Sequence, residues 1–257
     1  MKNLTKTILG AMAIASSFAG TAYAQESDFA LAASLAVTSD YRFRGISQNN
    51  EEFAPQASLT LTGPEGFYAS AWTSKTDWAL NQPGSPSYEL DLTFGKNTDL
   101  FGYANLNTYV LYYAYPDAKT PGIPLRNASF IEFGAQLSRS WGPFSTTISY
   151  AHSPNFALSG GEGNYLAGNV TVPVNDWLSF SGNVGRQWVE NIIPASDNYT
   201  HWDIGATATY RSLALDLRYV DNSLNAGQCA SFWMSTPSAC EGTVMATLTY
   251  SISSFPW

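Results

Sequence analysis

Apolar and polar side chains alternate with a period of two residues over most of this chain. The longest run begins at residue 29, and one of its parities reads Phe29, Leu31, Ala33, Leu35, Val37, Tyr41, Phe43. The other parity reads Ser34, Thr38, Asp40, Arg42, Arg44. Because successive side chains of a β-strand point to opposite faces, this run predicts a strand with one apolar and one charged face. A soluble barrel would bury the apolar face, whereas a membrane barrel would turn it towards lipid.

Twelve segments of this kind are predicted, and the connections between them alternate between short and long. The segments are Phe29–Phe43, Ala54–Thr62, Phe67–Lys75, Tyr88–Lys96, Tyr103–Tyr115, Ala128–Leu137, Phe144–His152, Tyr165–Val172, Leu178–Gln187, Tyr199–Tyr210, Leu213–Val220 and Thr243–Ile252. Connections that follow even-numbered segments are short, and the others are longer. This alternation is typical of periplasmic turns and external loops. The predicted fold class is therefore all-β, a transmembrane up-and-down antiparallel β-barrel of about 12 strands.

Charged residues within these segments fall on the parity opposite to the apolar residues. A charge on the lipid-facing surface costs about 2–4 kcal/mol at the membrane midplane, so we expect these side chains to face the lumen. The candidate lumen and constriction residues are Asp40, Arg42, Arg44, Glu89, Asp91, Glu132, Asp203, Asp216 and Arg218, with Arg186 as a further candidate. Opposed rows of acids and bases would make a constriction that filters by charge. The alternative is a salt-bridge network that plugs the lumen.

The N-terminus has the layout of a cleaved export signal. Lys2 and Lys6 precede an apolar stretch over residues 8–19, and Ala22-Tyr23-Ala24 forms an A-x-A cleavage site. Two parts are therefore predicted, a signal peptide over residues 1–24 and an outer-membrane barrel over residues 25–257. No later stretch approaches the roughly 18 uninterrupted apolar residues of a transmembrane helix.

Composition favours the membrane barrel over a soluble one. Aromatic residues make up 14% of the chain, as two interfacial aromatic girdles would require. Charged residues make up only 12%, whereas soluble domains usually carry about 25%. Without the predicted signal, the chain has 10 basic and 20 acidic residues, a formal charge of −10. Because phosphate binding needs clusters of Lys and Arg, nucleic acid is not an expected partner.

The chain has two cysteines, Cys229 and Cys240, which lie close together in the longest predicted loop. In an exported protein this spacing predicts one disulfide. Zinc-ligand spacing and phosphate-binding glycine loops are both missing from the sequence, so no cofactor or metal is expected.

The residues Thr38-Ser39-Asp40-Tyr41-Arg42-Phe43-Arg44-Gly45-Ile46-Ser47-Gln48, just after the predicted signal, resemble the opening of the TorF-type porin family. The chain length, the strand-rich layout and the final aromatic residue agree with this resemblance. It implies a bacterial outer-membrane barrel with a pore, but it carries over no catalytic residue and no solute. The terminal Trp257 also resembles the signal that the barrel assembly machinery reads.

The leading functional hypothesis is a porin-like channel for passive diffusion of small hydrophilic solutes, with a weak cation preference because acids outnumber bases. The runner-up is a closed barrel with a structural or surface-interaction role. Tyr109 and Tyr113 of the fifth segment share the polar parity, and they would either stack on sugar rings or belong to the aromatic girdle. The expected partners are outer-membrane lipid, the assembly machinery and small solutes, and no signal for an oligomeric state is present.

The third hypothesis is an outer-membrane enzyme that acts on lipids, but an enzyme is not expected. A barrel enzyme acting on lipids would need a Ser/His pair, and His152 and Ser153 are adjacent, so a strand would point them to opposite faces. The sequence also contains no G-x-S-x-G motif.

Overall fold

In a computed structural model, twelve antiparallel strands close into one barrel, which confirms the predicted fold class. The structure describes residues 29–77, 85–118, 128–190, 198–232 and 236–256. The predicted signal peptide and Trp257 lie outside these residues. The barrel strands are β1 (Ala30–Thr38), β2 (Ala54–Thr62), β3 (Phe67–Lys75), β4 (Tyr88–Leu100), β5 (Ala104–Ala114), β6 (Phe130–Ser140), β7 (Ser145–Ser153), β8 (Gly163–Pro173), β9 (Leu178–Val189), β10 (Asn198–Tyr210), β11 (Leu213–Asn222) and β12 (Thr243–Pro256).

The barrel closes where β1 pairs with β12, with Thr38 opposite Thr247 and Leu35 opposite Tyr250. Every other strand pairs with its sequence neighbours, so the topology is a simple up-and-down meander. One end of the barrel therefore carries the short turns and the other the long connections, and we call these the short-turn end and the long-loop end. Among the described residues, no helix has the length and apolar character needed to cross a membrane.

The outward face of the strands is apolar and exposed. Leu35 is 57% exposed and Ile148 is 59% exposed, although both are large aliphatic residues that a soluble protein would bury. Exposed rings cluster at the short-turn end, namely Phe101, Tyr103, Trp141, Trp177 and Tyr210. A lipid-facing band edged by aromatic residues is the arrangement expected of a membrane barrel.

The first predicted segment, Phe29–Phe43, is wrong at its C-terminal end. β1 stops at Thr38, whose hydroxyl donates to the carbonyl of Asp40 at 2.8 Å. Such a local side-chain hydrogen bond turns the chain out of the ladder. Residues 39–49, the inward loop, then run into the lumen, so Tyr41 and Phe43 are buried inside rather than exposed to lipid. The prediction failed because the two-residue alternation continues into a small hairpin, in which Arg42 pairs with Ser47 and Phe43 with Ile46.

The interior differs between the two ends. At the long-loop end the barrel is filled by a cluster of buried apolar side chains, and we call this cluster the apolar cap. Its members are Phe43, Ile46, Leu111, Tyr113, Tyr115, Ala128, Phe130, Phe156, Ala157, Leu158, Val189, Tyr199, Cys229, Ala239 and Cys240. Towards the short-turn end the inward positions are mostly small or polar and only half-buried, as Ser34, Ser58, Ser70, Ser149 and Thr247 show. We call this region the polar vestibule.

The predicted disulfide is present and belongs to the apolar cap. Cys229 lies on the short helix α1 (Ala226–Phe232), and its sulfur is bonded to that of Cys240, with 5.9 Å between the Cα atoms. Both cysteines are buried. The bond therefore ties the longest loop over the inward loop.

Neighbouring residues on β7 and β12 provide a direct test of which face meets lipid. Ser149→Cys and Thr247→Cys are expected to react with a membrane-impermeant thiol reagent in reconstituted vesicles, because both side chains face the polar vestibule. Ile148→Cys and Leu248→Cys are matched controls on the opposite face and should remain unlabelled. The native cysteines are joined to each other and leave no background. Labelling of the controls alone would show that the barrel is inverted.

Candidate functional site

The inward loop crosses the lumen from β1 to the opposite wall. Its tip is Gly45, which adopts a φ of +86° and approaches β10 so closely that a Cβ atom would lie 2.8 Å from that of His201. Both constraints favour glycine at this position. Asn222 donates to the Gly45 carbonyl at 2.9 Å, and the Asp77 amide donates to the Gln48 carbonyl at 2.7 Å. The loop is therefore held by the wall on several sides.

Arg44 is the main polar anchor of the inward loop. Its Nη2 lies 2.7 Å from Glu132 Oε2, and its Nη1 donates to Gln187 Oε1. The guanidinium carbon lies 3.9 Å from the ring centre of Tyr165, which is the geometry of a cation–π contact. Burial by itself would lower the pKa of Arg44, but the Glu132 carboxylate raises it above its usual range. Arg44 is thus a fully charged group inside the barrel.

The second arginine of the loop is paired locally. Arg42 Nε lies 2.6 Å from Asp40 Oδ2, and Ser47 donates to the other carboxylate oxygen at 2.7 Å. Arg42 also donates to the Glu241 carbonyl at 2.8 Å, just beyond the disulfide. This pair stabilises the shape of the hairpin and connects it to the longest loop.

A third charged group lies on the wall formed by β9, β10 and β11. Arg218 contacts Asp216 at 3.0 Å, forms an ion pair with Asp203 and donates to the Ser181 hydroxyl at 2.9 Å. Thr207 donates to Asp216 at 2.6 Å. One guanidinium thus serves two carboxylates, so this group keeps one net negative charge.

Two of the candidate carboxylates have no basic partner among the described residues. Glu89 and Asp91 are both buried and face inward from β4. Tyr41 donates to Glu89 at 3.1 Å, and Asp91 lies within hydrogen-bonding reach of Glu89 on the same inward face. Burial, together with the nearby Glu89 carboxylate, raises the pKa of Tyr41, so its phenol remains a proton donor. Tyr41 also packs on Trp72, with 5.2 Å between ring centres.

The structure places the nine candidate residues inside the barrel, but not as opposed rows across an open pore. Eight are buried, and the side chain of Asp203 is 10% exposed. They form three separate groups and one acidic pair. Arg186, the further candidate, is wrong: it is exposed on the outward parity of β9, next to Val184.

Several residues that complete these groups were not found from the sequence. Gln187, Tyr165 and Tyr41 are uncharged or aromatic, and each contacts a charged candidate. The inward parity of β8 and β9 would have been the available signal for Tyr165 and Gln187. Tyr113, which was considered for sugar stacking, instead stacks on Phe130 inside the apolar cap, with 4.2 Å between ring centres.

His152 and Ser153 do not form the Ser/His pair that a lipid-acting enzyme would need. His152 is half-buried on the outward parity of β7, whereas the neighbouring Ser153 is buried inside. His201 Nε2 lies 2.9 Å from the Tyr165 hydroxyl. Within the described ranges, no group of three or more His, Cys, Asp and Glu side chains is placed to hold a metal ion.

A family model described as "Bacterial protein of unknown function (Gcw_chp)" matches residues 22–253. The chain belongs to this family. That description does not include the TorF-type name. Among curated proteins, none matches the sequence.

Solved outer-membrane porins share the fold. The NanC porin is 10% identical with a TM-score of 0.51, and the match covers 87% of this chain and 98% of that one. The KdgM porin, solved in complex with disordered oligogalacturonate, is 6% identical with a TM-score of 0.54 and coverages of 87% and 99%. At these identities the similarity shows the barrel fold alone.

Among the interior residues, we expect substitution of Arg44 in the buried Arg44–Glu132 ion pair to have the largest effect on the free energy of unfolding. Arg44→Ala should lower the free energy of unfolding by about 3–5 kcal/mol, because it leaves the Glu132 carboxylate buried without its partner. Arg186→Ala is the matched control, since it removes an exposed outward guanidinium and should change stability by no more than about 0.5 kcal/mol. Urea unfolding in detergent micelles measures both variants. Equal losses would contradict the role of Arg44 as an anchor.

Proposed function

We propose that this protein is an outer-membrane channel for small hydrophilic solutes, and that the inward loop occludes it in the conformation described above. The observation that carries this proposal is the difference between the polar lining of the barrel wall and the inward loop and apolar cap that fill its long-loop end. The wall encloses a polar vestibule lined by hydroxyl and amide side chains, including half-buried Ser34, Ser149, Gln136 and Asn105. A barrel with a purely structural role would be expected to fill this space with large side chains, as eight-stranded barrels do.

Residues outside the barrel strands make up much of the apolar cap. The inward loop supplies Phe43 and Ile46, and other connections supply Phe156, Leu158 and Cys229. No barrel strand pairs with the two short strands of the loop, which pair only with each other. Displacement of the loop would therefore leave the barrel hydrogen bonds intact.

The charges fixed to the barrel wall support a weak cation preference. Apart from the Glu89–Asp91 pair, Glu132, Asp203 and Asp216 face the interior from described strands, against Arg218 as the inward base on those strands. A low-dielectric wall focuses such a field into the lumen and enriches cations there. Arg42 and Arg44 counteract this negative field only while the inward loop lies in the lumen.

Several further expectations accompany the proposed location. Export through the signal peptide over residues 1–24 would deliver the chain to the outer membrane, where the assembly machinery would insert it. The resemblance of residues 38–48 to TorF-type porins supports the same assignment. The long-loop end would then face outward and the polar vestibule would open towards the periplasm.

A closed barrel with a structural or surface-interaction role is the second candidate. The apolar cap favours it, because a continuous apolar cluster with a buried disulfide resembles a permanent core more than a gate. The extensive pairing of Arg44 and Arg218 is compatible with either function.

Planar-bilayer recording separates the two candidates. A variant in which a short Gly-Ser linker replaces residues 41–48 should show several-fold larger conductance than the wild type, and its reversal potential across a KCl gradient should have the cation-selective sign. Glu52→Ala, a change at an exposed residue of the same connection, is the control and should behave as wild type. An absence of conductance from both the wild type and the linker variant would favour the closed barrel.

A further inference from the structure

Arg44 occupies a site that the barrel wall builds around a planar cation. Each contributing side chain comes from a different strand: Glu132 from β6, Tyr165 from β8 and Gln187 from β9. The carboxylate and the amide oxygen accept hydrogen bonds from two different nitrogens, while the ring of Tyr165 lies against the guanidinium carbon. This combination of edge acceptors and an aromatic face suits a guanidinium, because a spherical cation such as K⁺ has no edge to match.

The cation in this site belongs to the inward loop, which pairs with no barrel strand, whereas its ligands belong to the wall. Tyr113 of β5 also donates to Glu132 Oε2, at 3.1 Å, and helps to orient the carboxylate. When the inward loop is displaced, Arg44 leaves with it, and Glu132, Gln187 and Tyr165 remain. The wall would then present a carboxylate, an amide oxygen and an aromatic ring without the planar cation that they surround, so another planar cation could bind in place of Arg44.

The described wall residues offer no replacement for Arg44. Arg218, the inward base of the described strands, is engaged by Asp203 and Asp216. The wall itself therefore offers no free base that could move to Glu132.

From these contacts we infer that Glu132, Gln187 and Tyr165 form a binding site for small solutes that carry a guanidinium group, and that Arg44 is a tethered competitor for it. The inference rests on the proposed channel, because solute must reach the lumen. It deepens that proposal by naming the solute class and the residues that recognise it. Opening and solute binding would be coupled, since a guanidinium compound stabilises only the state in which Arg44 has left.

Chemical rescue tests the site without requiring transport. Arg44→Ala leaves the site empty, and guanidinium chloride at millimolar concentration should raise the thermal unfolding midpoint of this variant above its value in KCl at equal ionic strength. The wild type should show no such rise. The double variant Arg44→Ala/Glu132→Gln removes the carboxylate, and its affinity for guanidinium should be about tenfold lower. If Arg44→Ala does not fold, Arg44→Gln, which keeps more of the side-chain length, is used instead.

Bi-ionic reversal potentials provide the second measurement. The Arg44→Ala channel should prefer guanidinium to K⁺, and Arg44→Ala/Glu132→Gln should lose this preference. Equal effects of guanidinium and K⁺ on the midpoint of the Arg44 variant would overturn the inferred site, whatever the conductance. Rescue without conductance from any variant would instead support the site and contradict the proposed channel. Arg186→Ala, with its exposed outward position, should show no guanidinium-specific effect in either assay.

Discussion

Lipid offers no hydrogen-bond partners to a polypeptide backbone, and this constraint organises the whole structure. Each strand must pair on both edges, so the twelve strands close between β1 and β12 and leave no edge exposed. Closure separates the side chains into an outward set and an inward set. The outward set meets lipid and is largely apolar, and most of the acidic side chains of the strands, such as Glu132 and Asp216, are consequently directed into a narrow interior.

The crowded interior explains why the inward loop carries arginines. Burying a carboxylate such as that of Glu132 in a low-dielectric space is costly without a partner of opposite charge. Arg44 supplies that partner from a segment that is not part of the barrel, and it contacts the Tyr165 ring at the same time. The carboxylate thereby determines where the loop rests, and the loop determines how far the lumen is filled.

A buried ion pair is weak evidence for overall stability, because desolvating both charges offsets much of their attraction. It is better suited to fixing one arrangement against others, which is a reasonable role for a segment that could otherwise lie at many depths in the lumen. Apolar contacts in the apolar cap, which includes the Cys229–Cys240 disulfide, stabilise the inward loop without specifying its exact position. The inward loop is thus held by the polar contacts of Arg44, by hydrogen bonds from Asn222 and Asp77, and by the apolar cap.

The two-residue periodicity by itself determined the barrel, its strand number and the inward parity of residues such as Glu89 and Asp216, because the constraint that sorts side chains between lipid and lumen acts locally along each strand. Cysteine spacing likewise sufficed for the disulfide. Only the tertiary structure decided that β1 ends at Thr38, since an inward hairpin repeats the alternation of a strand. It also decided which charges meet: Arg44 and Glu132 are 88 residues apart, and their contact depends on the closure of the barrel and the depth of the loop. Parity specifies the face on which a side chain lies, but only the closed barrel brings the separate strands around a common partner.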